Sequence, residues 1–307
     1  MAQIHSLFKD PTLEERFRRD GYVVIDFISA EQAKWIAQKF YDLHPSLPTG
    51  FYSAAFNSND SFKEDIYNHT NVIFQEVVEN TFKDFKILGS TFLCKSPGDA
   101  GKVGVHQDWS VVDEKKFYSA TIWVPTLDTT ENNGALRVLP GSHRFFDAYR
   151  SNNIPLSYKG SEQLLWDAMI TVPMKAGQAF ILNHAVIHAS SANTTNTERL
   201  AIAYGIVHKD ANLYYYHKEP TETGDSIEVY EMPDDFFQRY YNIGFRPQFG
   251  NMIKIMDYAV KVASIQEIEN KIRDLQIENL LPYITRDNKL PEKLGNNFFS
   301  KLKRIFS

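Results

Sequence analysis

The sequence predicts a mainly β fold with flanking helices, in which a barrel or sandwich fills the middle of the chain. Three observations predict it. Short runs rich in Val, Ile, Phe and Tyr, punctuated by Pro, Gly and Asn, recur between about residues 84 and 217. Apolar residues at helical spacing precede that stretch, and the same spacing returns beyond about Asp234. The expected organisation is one domain over residues 1–307: an N-terminal helical flank with a strand (1–83), a β core (84–217) and a C-terminal helical region (218–307).

In the flank, the charged run Leu13 to Arg19 favours a helix, Gly21 breaks it, and Tyr22 to Phe27 has strand composition. Ser29 with Gln32 forms a capping box for a helix over Ala30 to Leu43, where Ala33, Ile36, Ala37, Phe40 and Leu43 recur on one face. After a loop around Pro45 to Gly50, a longer helix is expected from about Ser61 to Phe82. The expected strands of the core are Phe85–Leu93, Val103–Trp109, Tyr118–Leu127, Met169–Pro173, Ala179–Asn183, Ile187–Ser190 and Leu200–Val207. Beyond the core, Val262, Ile265, Ile268, Ile272 and Leu275 line one stripe of a helix over Val262 to Ile277, expected to pack on the barrel. No internal repeat or low-complexity tract interrupts this plan.

Composition narrows the function. The chain is 43% hydrophobic and 23% charged, with 33 Lys and Arg against 38 Asp and Glu, a formal charge of −5. That balance gives no basic face for nucleic acid, so no nucleic-acid partner is expected. A single cysteine, Cys94, excludes an internal disulfide and fits a reducing cytoplasm. The first residues lack the pattern of a secretory signal, and no run approaches the roughly 18 apolar residues of a membrane span. A cytoplasmic protein is expected, with contact at a membrane periphery left open by the tail described below.

The chemistry concentrates in two segments of the core. His106-Gln107-Asp108 lies in a Val-rich segment readable as a strand, where residues two apart share a face and can aim an imidazole and a carboxylate at one point. A second β segment, Phe180 to Ser190, carries His188, placed to complete the set from an opposing strand of a closed barrel. Two imidazoles and one carboxylate on one face, with open positions beside them, are the ligand set of non-haem iron(II) oxygenases. Arg199 opens the next strand, and its planar fork suits a carboxylate of a dicarboxylic cosubstrate.

Four segments in order resemble the phytanoyl-CoA dioxygenase family of iron(II)- and 2-oxoglutarate-dependent oxygenases. They are Phe17-Arg-Arg-Asp-Gly-Tyr-Val-Val-Ile25, the His106-Gln-Asp108 triplet, Asn132-Asn-Gly-Ala-Leu-Arg-Val-Leu-Pro-Gly-Ser-His143, and the stretch His188-Ala-Ser190 with Asn193 and Arg199. The resemblance implies a double-stranded β-helix (a jelly-roll, cupin-like core) with the metal between two sheets near one open end. It implies that His106, Asp108 and His188 bind iron(II) and form the catalytic centre, and that Arg199 pairs with the far carboxylate of 2-oxoglutarate. Ser190 would assist that pairing and Trp123 would line the cosubstrate pocket. Oxygen is the third reactant, and Asp108 argues against the halogenating branch, where a smaller residue stands. The expected reaction is hydroxylation of an unactivated C–H bond of a small-molecule substrate, with a lipid- or acyl-linked one among the options; the motifs do not encode which.

Other residues invite other readings. His143 sits in the turn Leu139 to His143 and is expected to shape a loop rather than bind metal. His184 and His188 are spaced to share a helix face, as in zinc hydrolases, but Ala185 stands where a general base would, and the flanking residues prefer strands. Cys94 is expected in the core. In the tail 297–307, Phe298, Leu302, Ile305 and Phe306 share a face beside Lys301, Lys303 and Arg304; such an end could lie on an anionic membrane, though docking on protein is its commoner use. Substrate contacts are expected from residues 49–59 and from the chain after Val207, with Trp109 and Tyr214 to Tyr216 as aromatic candidates. A zinc hydrolase and a catalytically silent binding barrel stand as alternatives to the oxygenase, and the sequence leaves the oligomeric state open.

Overall fold

In chain order the elements are α1 (Pro11–Asp20), β1 (Tyr22–Asp26), α2 (Ala30–Leu43), β2 (Phe51–Ser53), α3 (Asp60–Thr81), β3 (Phe85–Lys95), β4 (Val103–His106), β5 (Ser119–Pro125), β6 (Leu136–Val138), α4 (Glu162–Ala168), β7 (Ile170–Val172), β8 (Gln178–Asn183), β9 (His188–Ser190), β10 (Arg199–His208), β11 (Leu213–His217), β12 (Ser226–Met232), α5 (Phe236–Arg239) and β13 (Asn251–Asp257). Residues 265–275 form a last helix, α6. These come from a computed structural model that describes residues 4–218, 226–240, 242 and 244–275. The tail 297–307 lies outside the described residues.

Local chemistry sets the helix ends. Asp10 caps α1 by accepting from the Thr12 amide at 2.7 Å, and Gly21 ends it at φ 78°, where a side chain is disfavoured. The capping box of α2 forms as the sequence predicts: Ser29 Oγ accepts from the Gln32 amide and Gln32 Oε1 from the Ser29 amide.

A six-stranded antiparallel sheet, ordered β1-β8-β5-β10-β3-β2, faces a four-stranded sheet, β4-β9-β6-β7. Strand alternation divides the residues of the large sheet between two cores. Ile122, Ile181, Leu200, Ile202 and Tyr204 point outward and are buried with Phe17, Phe40 and Phe74 of α1, α2 and α3. Trp123, Phe180, Leu182 and Ala201 point inward and pack with Leu136 and Val138 of the small sheet. Two antiparallel sheets closing on one core are the jelly-roll expected from the sequence. The same alternation puts Thr121, Trp123, Arg199, Ala203 and Gly205 on the inner face.

The structure differs from expectation in three places. A third sheet, β11-β12-β13, extends into the stretch 218–307 expected to be helical. Its strand β13 carries Met252, Ile253 and Ile255 exposed, so it lacks the one-sided burial that marks a strand in sequence. On α6, Ile268, Ile272 and Leu275 pack on Val105, Leu139 and Phe145, but Val262 and Ile265 are exposed, so the expected stripe is buried only along its second half. Finally, β4 ends at His106, and Asp108 lies beyond it. Among the described residues no helix is long and apolar enough to cross a membrane.

Candidate metal centre

β4 and β9 are paired with His106 directly opposite His188, and the two rings lie 4.1 Å apart, tilted by 49°. Each ring is held by the residue two before it in the chain: His106 Nδ1 lies 2.9 Å from the Gly104 carbonyl and His188 Nδ1 3.0 Å from that of Val186. Donation from Nδ1 to a carbonyl fixes the tautomer and leaves Nε2 with its lone pair free to bind a metal. Both Nε2 atoms lie 3.9 Å from Asp108 Oδ1, and one ligand atom from each of the three residues falls within 4.8 Å of the others.

Asp108 reaches this point from an irregular segment, so strand alternation does not place it. Its neighbour Gln107 is buried and donates to the Ala185 carbonyl, which pins the end of β4 to the turn before β9. Arg150 donates through Nε to the Asp108 carbonyl at 2.8 Å and is itself held by Glu114 at 2.6 Å. Burial by itself would push the Asp108 carboxyl up; the rings of His188, His184 and His106 and the Arg150 guanidinium outweigh it and hold the group below the usual range. Burial, and after it the His106 ring, pushes His188 down to about 4, against the pull of Asp108. An ionised carboxylate beside a neutral imidazole is the protonation state that a divalent cation requires.

The cavity behind these three residues, 270 Å³ in volume, is also lined by Trp123, Ser190 and Arg199. Arg199 is 1% exposed; burial lowers its guanidinium to about 10, so it stays charged at neutral pH. Its Nε and Nη1 have no hydrogen-bond partner among the described residues, and its guanidinium carbon lies 5.1 Å from the centre of the Trp123 ring. A buried cation with unused donors on a cavity wall calls for an anion. The residues therefore fit both groups: a two-imidazole, one-carboxylate set for the metal, and a guanidinium fork for a dicarboxylate.

Sequence reasoning missed Lys95 and Thr121, gave Gln107 no role within the triplet, and weighed His184 only as a zinc partner of His188. Lys95 pairs with Arg199 across β3 and β10, is fully buried, and donates to the carbonyls of Ser190 at 3.2 Å and Ser191 at 2.5 Å. Burial first, then the Arg199 charge, lowers its amine to about 6. Thr121 shares the inward parity of Trp123, which is the signal that could have found it. His184 sits in the β8–β9 turn and meets Thr121 at 3.1 Å, so it forms no helical pair with His188. His143 lies elsewhere, Nε2 against the Arg18 carbonyl at 3.1 Å, and Cys94 is buried in the outer core, its thiol pushed up to about 11 by burial.

Residues 17–201, more than half of the chain, match the family model described as Phytanoyl-CoA dioxygenase (PhyH). This chain belongs to the phytanoyl-CoA dioxygenase family. It is similar to "Phytanoyl-CoA dioxygenase domain-containing protein 1" of Danio rerio, at 29% identity over 42% of this chain and 47% of that protein. The corresponding homolog of Dictyostelium discoideum is 25% identical over 53% of this chain and 60% of its own length. The chain thus spans about half the length of the curated relatives it matches. Of solved structures, the non-heme alpha ketoglutarate dependent carbocyclase SnoK from nogalamycin biosynthesis is similar at a TM-score of 0.49 and 16% identity, over 66% of this chain and 86% of that one. The matched span contains His106, Asp108 and His188, the three residues whose ligand atoms converge.

Proposed function

We propose that this protein is an iron(II)- and 2-oxoglutarate-dependent dioxygenase that hydroxylates an unactivated C–H bond of a small molecule. The observation that carries the reading is the conjunction, in one cavity, of three converging ligands and the buried Arg199, two of whose nitrogens have no hydrogen-bond partner among the described residues. A structural His-Asp-His cluster gives no reason for a guanidinium with idle donors beside it.

In this reading His106, Asp108 and His188 hold the metal, and Arg199 takes the far carboxylate of 2-oxoglutarate. Ser190 and the Trp123 ring border that carboxylate's path and orient it. When bound, iron(II) and 2-oxoglutarate supply the oxidising power: oxygen is consumed as the cosubstrate loses carbon dioxide to become succinate, and one oxygen atom ends in the product hydroxyl. The chain itself orients the reactants and keeps water out.

The substrate would sit in a second cavity of 290 Å³ that meets the first at Phe56, Asp108, Thr121 and Ala203. Leu88, Trp109, Phe237 and Tyr240 give it mainly apolar walls. Ala55 and Phe56 come from the 49–59 segment and Phe237 and Tyr240 from beyond Val207, the regions expected from sequence; Tyr215 instead packs behind Trp109, at 5.7 Å between ring centres. A cavity of this size takes a compact apolar group, at the small end of ligand pockets. A long acyl chain would place only its reacting end inside.

Anaerobic titration of the apo-protein with iron(II) and 2-oxoglutarate tests the reading, through the visible charge-transfer band of the chelate. The band should appear in the wild type and vanish in Asp108→Ala, His106→Ala and His188→Ala with the far-UV spectrum unchanged. Iron binding without the band would leave a zinc-type or silent barrel as the better account.

A further inference from the structure

Asp108 has two carboxylate oxygens in different surroundings. Oδ1 faces the imidazoles at 3.9 Å, while Oδ2 lies 3.4 Å from Thr121 Oγ1, which in turn lies 3.1 Å from His184 Nε2. The hydroxyl of Thr121 has one proton and an ionised carboxylate can only accept. One arrangement satisfies Thr121 and Asp108 together: His184 donates from Nε2 to Thr121 Oγ1, and Thr121 donates to Asp108 Oδ2, while His184 Nδ1 has no hydrogen-bond partner among the described residues.

We propose that Thr121 and His184 form a hydrogen-bonded relay that holds Asp108 Oδ2, so that Asp108 meets the metal through Oδ1 alone; the proposal rests on the dioxygenase reading above. A carboxylate on an irregular segment can rotate, and a free Oδ2 would let it swing toward the metal and occupy a second position. β5 prevents that rotation. Thr121 is on the inner face beside Gly205, which lacks a side chain to crowd it, and His184 is 6% exposed in the turn that Gln107 ties to the end of β4. The relay also forms the wall between the two cavities, since Asp108 and Thr121 line both. Thr121 and His184 are positioning residues, acting on the metal only through Asp108.

Thr121→Val removes the hydroxyl at nearly constant shape, and Thr121→Ser keeps it. Titration calorimetry of the full chain with nickel(II), a redox-inert probe, should show about 10- to 100-fold weaker binding in Thr121→Val, the range for lost outer ligand support, and near wild-type affinity in Thr121→Ser. His184→Phe should weaken binding in the same direction and add little on top of Thr121→Val, because both act through one bond to Asp108. Wild-type affinity in Thr121→Val, or failure of Thr121→Ser to restore it, would overturn the relay while leaving the oxygenase reading intact. A wild type that binds no nickel(II) at one site per chain would overturn that reading, and the relay with it.

Discussion

At the scale of single residues the centre is built from groups that the folded chain holds at a disadvantage until ligands arrive. Arg199 is the clearest, a charged guanidinium 1% exposed with two nitrogens unbonded among the described residues. Replacing even a buried ion pair by apolar side chains of similar volume is often neutral or stabilising by about 1–4 kcal/mol, and a buried charge with no ion partner has less Coulomb attraction to lose. Arg199→Met should therefore leave the apo-protein at least as stable to urea as the wild type, while raising the 2-oxoglutarate needed for half-formation of the charge-transfer band by about 10- to 100-fold, the worth of a charged hydrogen-bonded pair. A destabilised variant with normal cosubstrate affinity would make Arg199 a structural residue. Lys95 carries the same signature with a pH dependence. Its amine falls from 10.5 to about 6 on burial, so between those values the unfolded chain binds a proton that the folded chain does not. Stability contributed by this group must then rise with pH across that window, with a slope of up to about 1.4 kcal/mol per pH unit. Lys95→Met should flatten the rise in urea midpoint between pH 6 and pH 9 relative to the wild type.

At the scale of elements, what could be read from sequence was whatever obeys a local rule. The capping box at Ser29, the Gly21 stop of α1, and the strand over Leu200 to Val207 are encoded by neighbours in the chain, and the structure shows each of them. β13 and the exposed half of the α6 stripe were misread because their surroundings, not their own residues, decide burial. Asp108 shows the same limit inside the centre. The sequence predicts a strand running to Trp109 that aims it, whereas Gln107, bonded to the Ala185 carbonyl, and Arg150, bonded to the Asp108 carbonyl and to Glu114, set its position. Gly21 links the two levels, because it both ends α1 and makes room for His143, whose Nδ1 would lie 2.5 Å from a Cβ built there. Gly21→Ala should cost more than the roughly 1–2 kcal/mol of a left-handed non-glycine residue, since His143 must also move. Nickel(II) affinity should be unchanged, because His143 bonds the Arg18 carbonyl and not the centre. A variant that lost metal binding at full stability would place His143 in the site after all.

At the scale of the whole molecule, the proposed cosubstrate and substrate cavities meet at Asp108 and Thr121, and the inward residues of the large sheet set the character of each. Arg199 and Trp123 occupy inward positions at one end, while Gly205 lies directly opposite both Gly89 and Thr121 at the other, leaving space that side chains would otherwise fill. α5 then covers that space with Phe237 and Gln238, so the second cavity depends on parts of the chain that no motif marks. The proposed division of labour is open to a direct test at Thr91, which faces inward opposite Ala203 and lines only the second cavity. Thr91→Leu adds apolar volume there without touching Arg199 or the three ligands. It should keep nickel(II) affinity and the charge-transfer band within about twofold of wild type, since Thr91 lines the cavity of neither Arg199 nor His106 and His188. Binding of compact apolar probes such as cyclohexanol, read as a perturbation of that band, should be lost. A Thr91→Leu protein that still responds to the probe, or that loses the band itself, would mean that the two cavities are not separate sites for substrate and cosubstrate.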